Sequence, residues 1–217
     1  MRRASGGPVR LPPMAPGMRI GLYGGSFDPP HPGHRHVALA ALRRLALDRV
    51  WWLVTPGNPL KDVSGLSPLA ERMEATGSVA RHPRMNVTAP EAPGPAAYTI
   101  DTLRWLVRRA PDVRFVWIMG ADSLAGFHRW QCWREIAALV PIAVIERPGW
   151  TEAATASRAA VALRRARLPE ASSRRGPRHS PPAWVLLHGP RSNLSSTRLR
   201  QANPGARARS PTSAPPS

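Results

Sequence analysis

At 217 residues the chain has room for one globular domain with a sizeable core, since domains typically run to roughly 100–200 residues. No stretch approaches the ~20 uninterrupted apolar residues of a membrane helix. A single cysteine, Cys132, excludes an internal disulfide and a cysteine-built zinc or iron–sulfur site, and fits a reducing compartment such as the cytoplasm. The formal net charge of +18, taken alone, points to nucleic acid. Its distribution does not: residues 1–17 carry +3, residues 18–152 only +4, and residues 153–217 carry +11. All but one of the basic residues are arginines, the exception being Lys61. Arg-rich flanks of this kind read as solvated, compositionally biased chain, and no nucleic-acid partner is expected.

Residues 1–17 lack the apolar stretch of a secretory signal and read as a flexible leader, with Met14 and Met18 as alternative starts. The ordered part then alternates short apolar runs with helical patterns. A first strand over 19–23 is followed by a Gly/Pro turn and a helix over 33–47. A continuous apolar strand spans 49–54, as expected for a sheet covered on both faces, and a helix over 67–81 leads to a short strand at 85–87. Next come a helix over 98–109, a buried strand over 114–119, a helix in two pieces over 123–139 and a strand over 141–145. A helix over 151–167 and a final strand over 183–187 complete the series, with 169–182 expected as an exposed loop and 201–217 as a disordered tail. Strand–helix alternation without an internal repeat predicts an α/β fold, a Rossmann-like parallel sheet with helices on both faces and ligands at the carboxyl ends of its strands.

The densest chemistry lies between the first strand and first helix, in Gly24-Gly25-Ser26-Phe27-Asp28-Pro29-Pro30-His31-Pro32-Gly33-His34. Two glycines at a strand end allow a sharp turn and close approach of a ligand to the backbone. Pro32 suits the first helical position, where unpaired N–H groups form an anion site. His31 and His34, three residues apart, can offer two ring donors to one phosphate. The dinucleotide fingerprint GxGxxG and the Walker A pattern are both absent, which argues against a nicotinamide-dependent oxidoreductase and a P-loop enzyme. Zinc held by His31, His34 and His36 lacks a convincing fourth ligand, and His36 reads as a packed or surface residue. Ser195, Ser196, Thr197 and Arg200 form either a second phosphate cradle or an ordinary helix cap. Lys61 either reaches a phosphate or is solvated. Asp122 either accepts ribose hydroxyls, holds magnesium through water, or caps a helix. Among the tryptophans, Trp52, Trp105 and Trp117 read as core, and Trp133 is ambiguous.

The string GGSFDPPHPGH resembles the HxGH nucleotidyltransferases and, within them, the bacterial-type nicotinate-mononucleotide adenylyltransferases. TPGNPLK at 55–61, YTIDTL at 98–103, MGADSL at 119–124 with HRW at 128–130, and SSTRLR at 195–200 follow in the family's order, so the resemblance covers about 18–200 as one nucleotidyltransferase domain. It implies transfer of the adenylyl group of ATP to nicotinate mononucleotide, giving the dinucleotide and pyrophosphate, with Mg2+ accompanying ATP. It further implies that His31 and His34 are catalytic, and that Gly24, Gly25, Ser26, Phe27, Lys61, Gly120, Asp122, Ser195, Ser196, Thr197 and Arg200 lie on the ATP side. Thr99, Trp130 and Gln131 would then serve the nicotinate side, Trp130 by stacking. At Gln131 family members commonly show Tyr, and a Pro/Arg tail stands where many relatives have a further helix. The metal ligands are not implied, and the resemblance allows a homo-oligomer. Alternatives are an adenylyltransferase for nicotinamide mononucleotide or another phosphorylated acceptor, or a nucleic-acid-binding protein.

Overall fold

A computed structural model describes residues 11–55, 65–89 and 98–188. Its centre is a sheet of seven strands, all parallel: β1 Arg19–Gly25, β2 Arg49–Val54, β3 Met85–Thr88, β4 Arg114–Gly120, β5 Ile142–Ile145, β6 Arg167–Leu168 and β7 Trp184–Leu187. Their spatial order is β3-β2-β1-β4-β5-β7-β6. The chain builds outward from β1 in one direction and then restarts at β4 on its other side. The crevice between β1 and β4, at their carboxyl ends, is therefore the topological switch point where such sheets bind ligands.

Helices cover both faces, as the unbroken apolar strands required. On one side lie α1 Pro32–Arg44 and α2 Leu69–Val79, joined through Val37, Ala41 and Leu42 to Trp52, Val116 and Ile118 of the sheet. On the other lie α3 Thr99–Arg109, α4 Ala121–Gly126, α5 Trp133–Leu139, α6 Thr151–Thr155 and α7 Arg158–Ala162, packed on Ile20, Leu22, Trp51 and Trp117. The paired indoles of Trp51 and Trp52 show the pleat at work: adjacent residues, both fully buried, belong to opposite core clusters. Trp117 and Trp133 are buried and Trp105 packs partly buried against the core.

Three stretches differ from expectation. The helix expected over 151–167 is broken: Ser157 is extended and its hydroxyl accepts from the Ala160 N–H, capping α7 as a separate helix. A 3₁₀ turn, Arg164–Ala166, then delivers the two-residue edge strand β6. Residues 169–182, expected as an exposed loop, contain a 3₁₀ helix, Glu170–Arg178, whose Ser173, Gly176 and Pro177 are buried. Contacts distant in sequence hold it: Ser173 donates to the Arg44 carbonyl (3.2 Å), and Glu170 pairs with Arg44 (2.6 Å) and His188 (2.7 Å). Within the expected leader, Leu11 and Met14 pack against the core and Gly17 N–H donates to the Asp112 carbonyl (2.7 Å). Among the described residues no helix is long and apolar enough to cross a membrane.

Leu103 of α3 is fully buried in the larger cluster. Its replacement by Ala is expected to cost about 3 kcal/mol in urea unfolding. Val161→Ala, at a half-exposed position, is expected to change stability by less than about 0.5 kcal/mol.

Candidate functional site

At the end of β1 the chain turns sharply through Ser26 and Phe27, and Phe27 sits in the left-handed region at φ 46°. This conformation is unfavourable for a residue with a β-carbon, and packing must hold it. The Phe27 ring is buried against Tyr23 (5.4 Å between centroids), Trp52 (5.2 Å) and His34 (5.1 Å). The two glycines are required here by rings as much as by any ligand. A β-carbon on Gly24 would collide with the Trp117 indole, and one on Gly25 would press on Phe27. Gly120 at the end of β4 plays the same part for Asp122, whose carboxylate folds back over it.

The turn delivers His31 to the N-cap of α1 with extended backbone, and Pro32 to its first turn. His31 N–H donates to Nδ1 of His34 (3.2 Å), while His34 N–H donates to the His31 carbonyl (2.9 Å). An imidazole nitrogen that accepts carries no proton, so neutral His34 holds its hydrogen on Nε2 and has a donor to offer. The two rings stack at 3.7 Å and 27°. His31 is 2% exposed, and among the described residues neither of its ring nitrogens has a partner. Two unsatisfied polar atoms in one buried ring are costly and mark a place prepared for a ligand.

Burial, followed by the Arg147 charge and partly offset by Asp122, lowers His31 to about 4. Burial, then His31 and Arg147, lowers His34 to about 2. Both imidazoles are therefore neutral near pH 7. Arg147, two residues past β5, is a cation that the sequence alone does not single out. It pairs with Asp122 at 2.6 Å. Its signal is positional: like Asp122 after β4 and His31 after β1, it lies just beyond the carboxyl end of a central strand.

His31, His34, Asp122 and Arg147 thus interact at the β1/β4/β5 ends. Trp130, half-buried beyond the 3₁₀ turn Phe127–Arg129, packs edge-on to Trp117 (6.1 Å, 80°) and Phe127 (5.4 Å, 74°). Trp117 consequently links Gly24 to the expected stacking residue. Gln131 is exposed, and Thr99 is the first residue of α3. Lys61, Ser195, Ser196, Thr197 and Arg200 lie outside the described residues.

The depressed histidines carry a stability consequence. Unfolded imidazoles titrate near 6.5, so below that pH the unfolded chain takes up protons that the folded chain refuses. Stability from His31 therefore falls from about pH 6.5 to 4. In His31→Gln this loss is absent, and its melting temperature relative to wild type is expected to shift in the variant's favour by about 5 °C between roughly pH 7 and 5. A constant difference would contradict the burial assigned to this ring.

The cytidylyltransferase-like family model matches residues 22–202. A protein from Methylorubrum extorquens, named "Probable nicotinate-nucleotide adenylyltransferase", is 60% identical over 183 residues, covering 84% of this chain and 99% of its own. A Brucella abortus protein of the same name is 55% identical over 184 residues, covering 85% and 95%. Among solved structures, Plasmodium falciparum nicotinic acid mononucleotide adenylyltransferase complexed with NaAD shares the fold at TM-score 0.62 and 16% identity, covering 85% of this chain and 83% of that one. Its complex with APC aligns at TM-score 0.61. Identity of this order over 84–85% of the chain, together with a switch-point site built from the HxGH turn, places the chain in the nicotinate-nucleotide adenylyltransferase family of the cytidylyltransferase-like proteins.

Proposed function

We propose that the chain transfers the adenylyl group of ATP to nicotinate mononucleotide, forming nicotinate adenine dinucleotide and pyrophosphate in NAD biosynthesis. The observation that carries the reading is the stacked His31–His34 pair at the start of α1: two neutral imidazoles, the buried one with both nitrogens unpartnered among the described residues, beside Arg147. The names of the relatives support the substrate.

The attacking group is a phosphate oxygen that is already ionised at neutral pH, so no general base is needed. It bonds to the α-phosphorus of ATP, and the bond from that phosphorus to the bridging oxygen of the β-phosphate breaks, with pyrophosphate leaving. Catalysis consists of alignment and of stabilising negative charge. His34 Nε2–H and the His31 ring donate to the phosphoryl oxygens, and the first-turn N–H groups of α1 add their dipole. Arg147 and Asp122 hold each other, which fixes the cation near the leaving phosphates and orients the carboxylate toward ribose. Gly24, Gly25, Ser26, Phe27 and Gly120 shape the ATP side. Lys61, Ser195, Ser196, Thr197 and Arg200 are assigned to the β- and γ-phosphates from sequence.

Among the described residues no group of three ligating side chains could cage a metal. Mg2+ uses one or two carboxylates and substrate phosphates, and Asp122 would hold it through water. When bound, the metal would supply charge neutralisation at the pyrophosphate. On the acceptor side, the half-buried Trp130 ring stacks on nicotinate, with Thr99 and Gln131 near its carboxylate. Such a reaction belongs in the cytoplasm.

Purified protein with ATP and Mg2+ is expected to release pyrophosphate and form dinucleotide faster with nicotinate mononucleotide than with nicotinamide mononucleotide. Faster turnover of the amide, or no product from either, would reject the reading. His34→Ala is expected to lower kcat by about 100- to 1000-fold, since a preorganised donor is removed. Unchanged kcat in steady-state assays would remove His34 from the reaction.

A further inference from the structure

We infer that Arg72 is a positioning residue for the ATP side of the site, fastening the turn between β1 and α1 so that His34 presents its ring in one place. The inference rests on the adenylyl-transfer reading of that site. Arg72 lies on α2 and is only 3% exposed, an unusual position for a guanidinium. Its donors reach three separate loops: Nη1 donates to the carbonyls of Ser26 (2.8 Å) and Thr55 (2.7 Å), and Nε donates to that of Ser67 (2.8 Å). These carbonyls belong to the turn after β1, the residue after β2 and the approach to α2. The Asp28 charge, in the same turn, acts favourably on the guanidinium. The helix holds Arg72 in turn, because Thr76 Oγ1 donates to the Arg72 carbonyl (2.6 Å).

Transmission to the chemistry is short. Ser26 precedes Phe27, whose left-handed backbone has to be held by its surroundings. The Phe27 ring touches His34 edge-on at 5.1 Å, and His34 stacks on His31. A turn released at the Ser26 carbonyl lets Phe27 relax and takes the His34 donor with it. Trp130 packs against Trp117 and Phe127 in the opposite core cluster, so the nicotinate side does not share this support. Two nitrogens of one planar fork meet the three carbonyls, whereas an ammonium would have to meet all three from a single nitrogen on a more flexible stem.

Arg72→Lys and Arg72→Gln test the assignment, with folding followed by circular dichroism and ligand affinity by calorimetry. Loss of charge-assisted hydrogen bonds that position the turn is expected to weaken ATP binding about tenfold or more in folded variants. Affinity for nicotinate mononucleotide is expected to stay within about twofold. Equal weakening toward both nucleotides, or unchanged ATP affinity, would overturn the inference. So would failure of both variants to fold, because Arg72 would then be a determinant of the fold itself. Dinucleotide formation by the wild type checks the underlying reading separately: a wild type that binds ATP without transferring it defeats that reading, while the comparison of ATP affinities still decides the role of Arg72.

Discussion

Two imidazoles stacked 3.7 Å apart in a largely desolvated corner constrain everything around them. They cannot both carry charge there, and their depressed protonation leaves them neutral. The price is two polar ring atoms on His31 that the described protein leaves unpaired. On the adenylyl-transfer reading, phosphate oxygens would satisfy those ring nitrogens, so that a ligand would complete the site instead of merely filling it.

Holding the rings there dictates the surrounding sequence. Extended backbone at His31 and proline after it start α1 at a fixed residue. The left-handed Phe27 brings the chain round in the space available between β1 and α1. Glycine at 24 admits Trp117, and that indole buttresses Trp130 some distance along the crevice. The expected nicotinate end thus packs in one core cluster through Trp117, while Phe27, the ring against His34, packs in the other. One consequence is that the aromatic floor can be altered at Trp130 without disturbing the histidine pair.

The local patterns that announce this site are strong, which explains why much of it could be read from residues alone. HPGH carries its own helix start, and continuous runs such as RVWWLV and RFVWIMG leave little choice but buried parallel strands. The misreadings share a cause. Residues 169–182 look like solvated chain because Pro, Ser and Arg dominate them, yet Glu170, Ser173 and Gly176 find Arg44, His188 and Leu45 far away in sequence. The helix break at Ser157 depends on a single hydroxyl acting as a cap, while the Ala-rich pattern runs straight through it. Arg72 and Arg147 are invisible for the opposite reason: among so many arginines, nothing local distinguishes a buried or partly buried guanidinium from a solvated one.

That last point recasts the charge. An excess of +18 invites a search for a surface, but the cations that matter at the described site are individually committed. Arg147 pairs with Asp122, and Arg72 serves three carbonyls under the influence of Asp28. Each is desolvated enough for its field to act over several ångströms, whereas the exposed arginines near the β6 edge are screened by water and salt. Edge charges of that kind protect a short terminal strand from pairing with another chain. The described part of the site is thus set by one buried guanidinium, Arg72, and one partly buried one, Arg147, each with its own partners, and not by the sum of the charge.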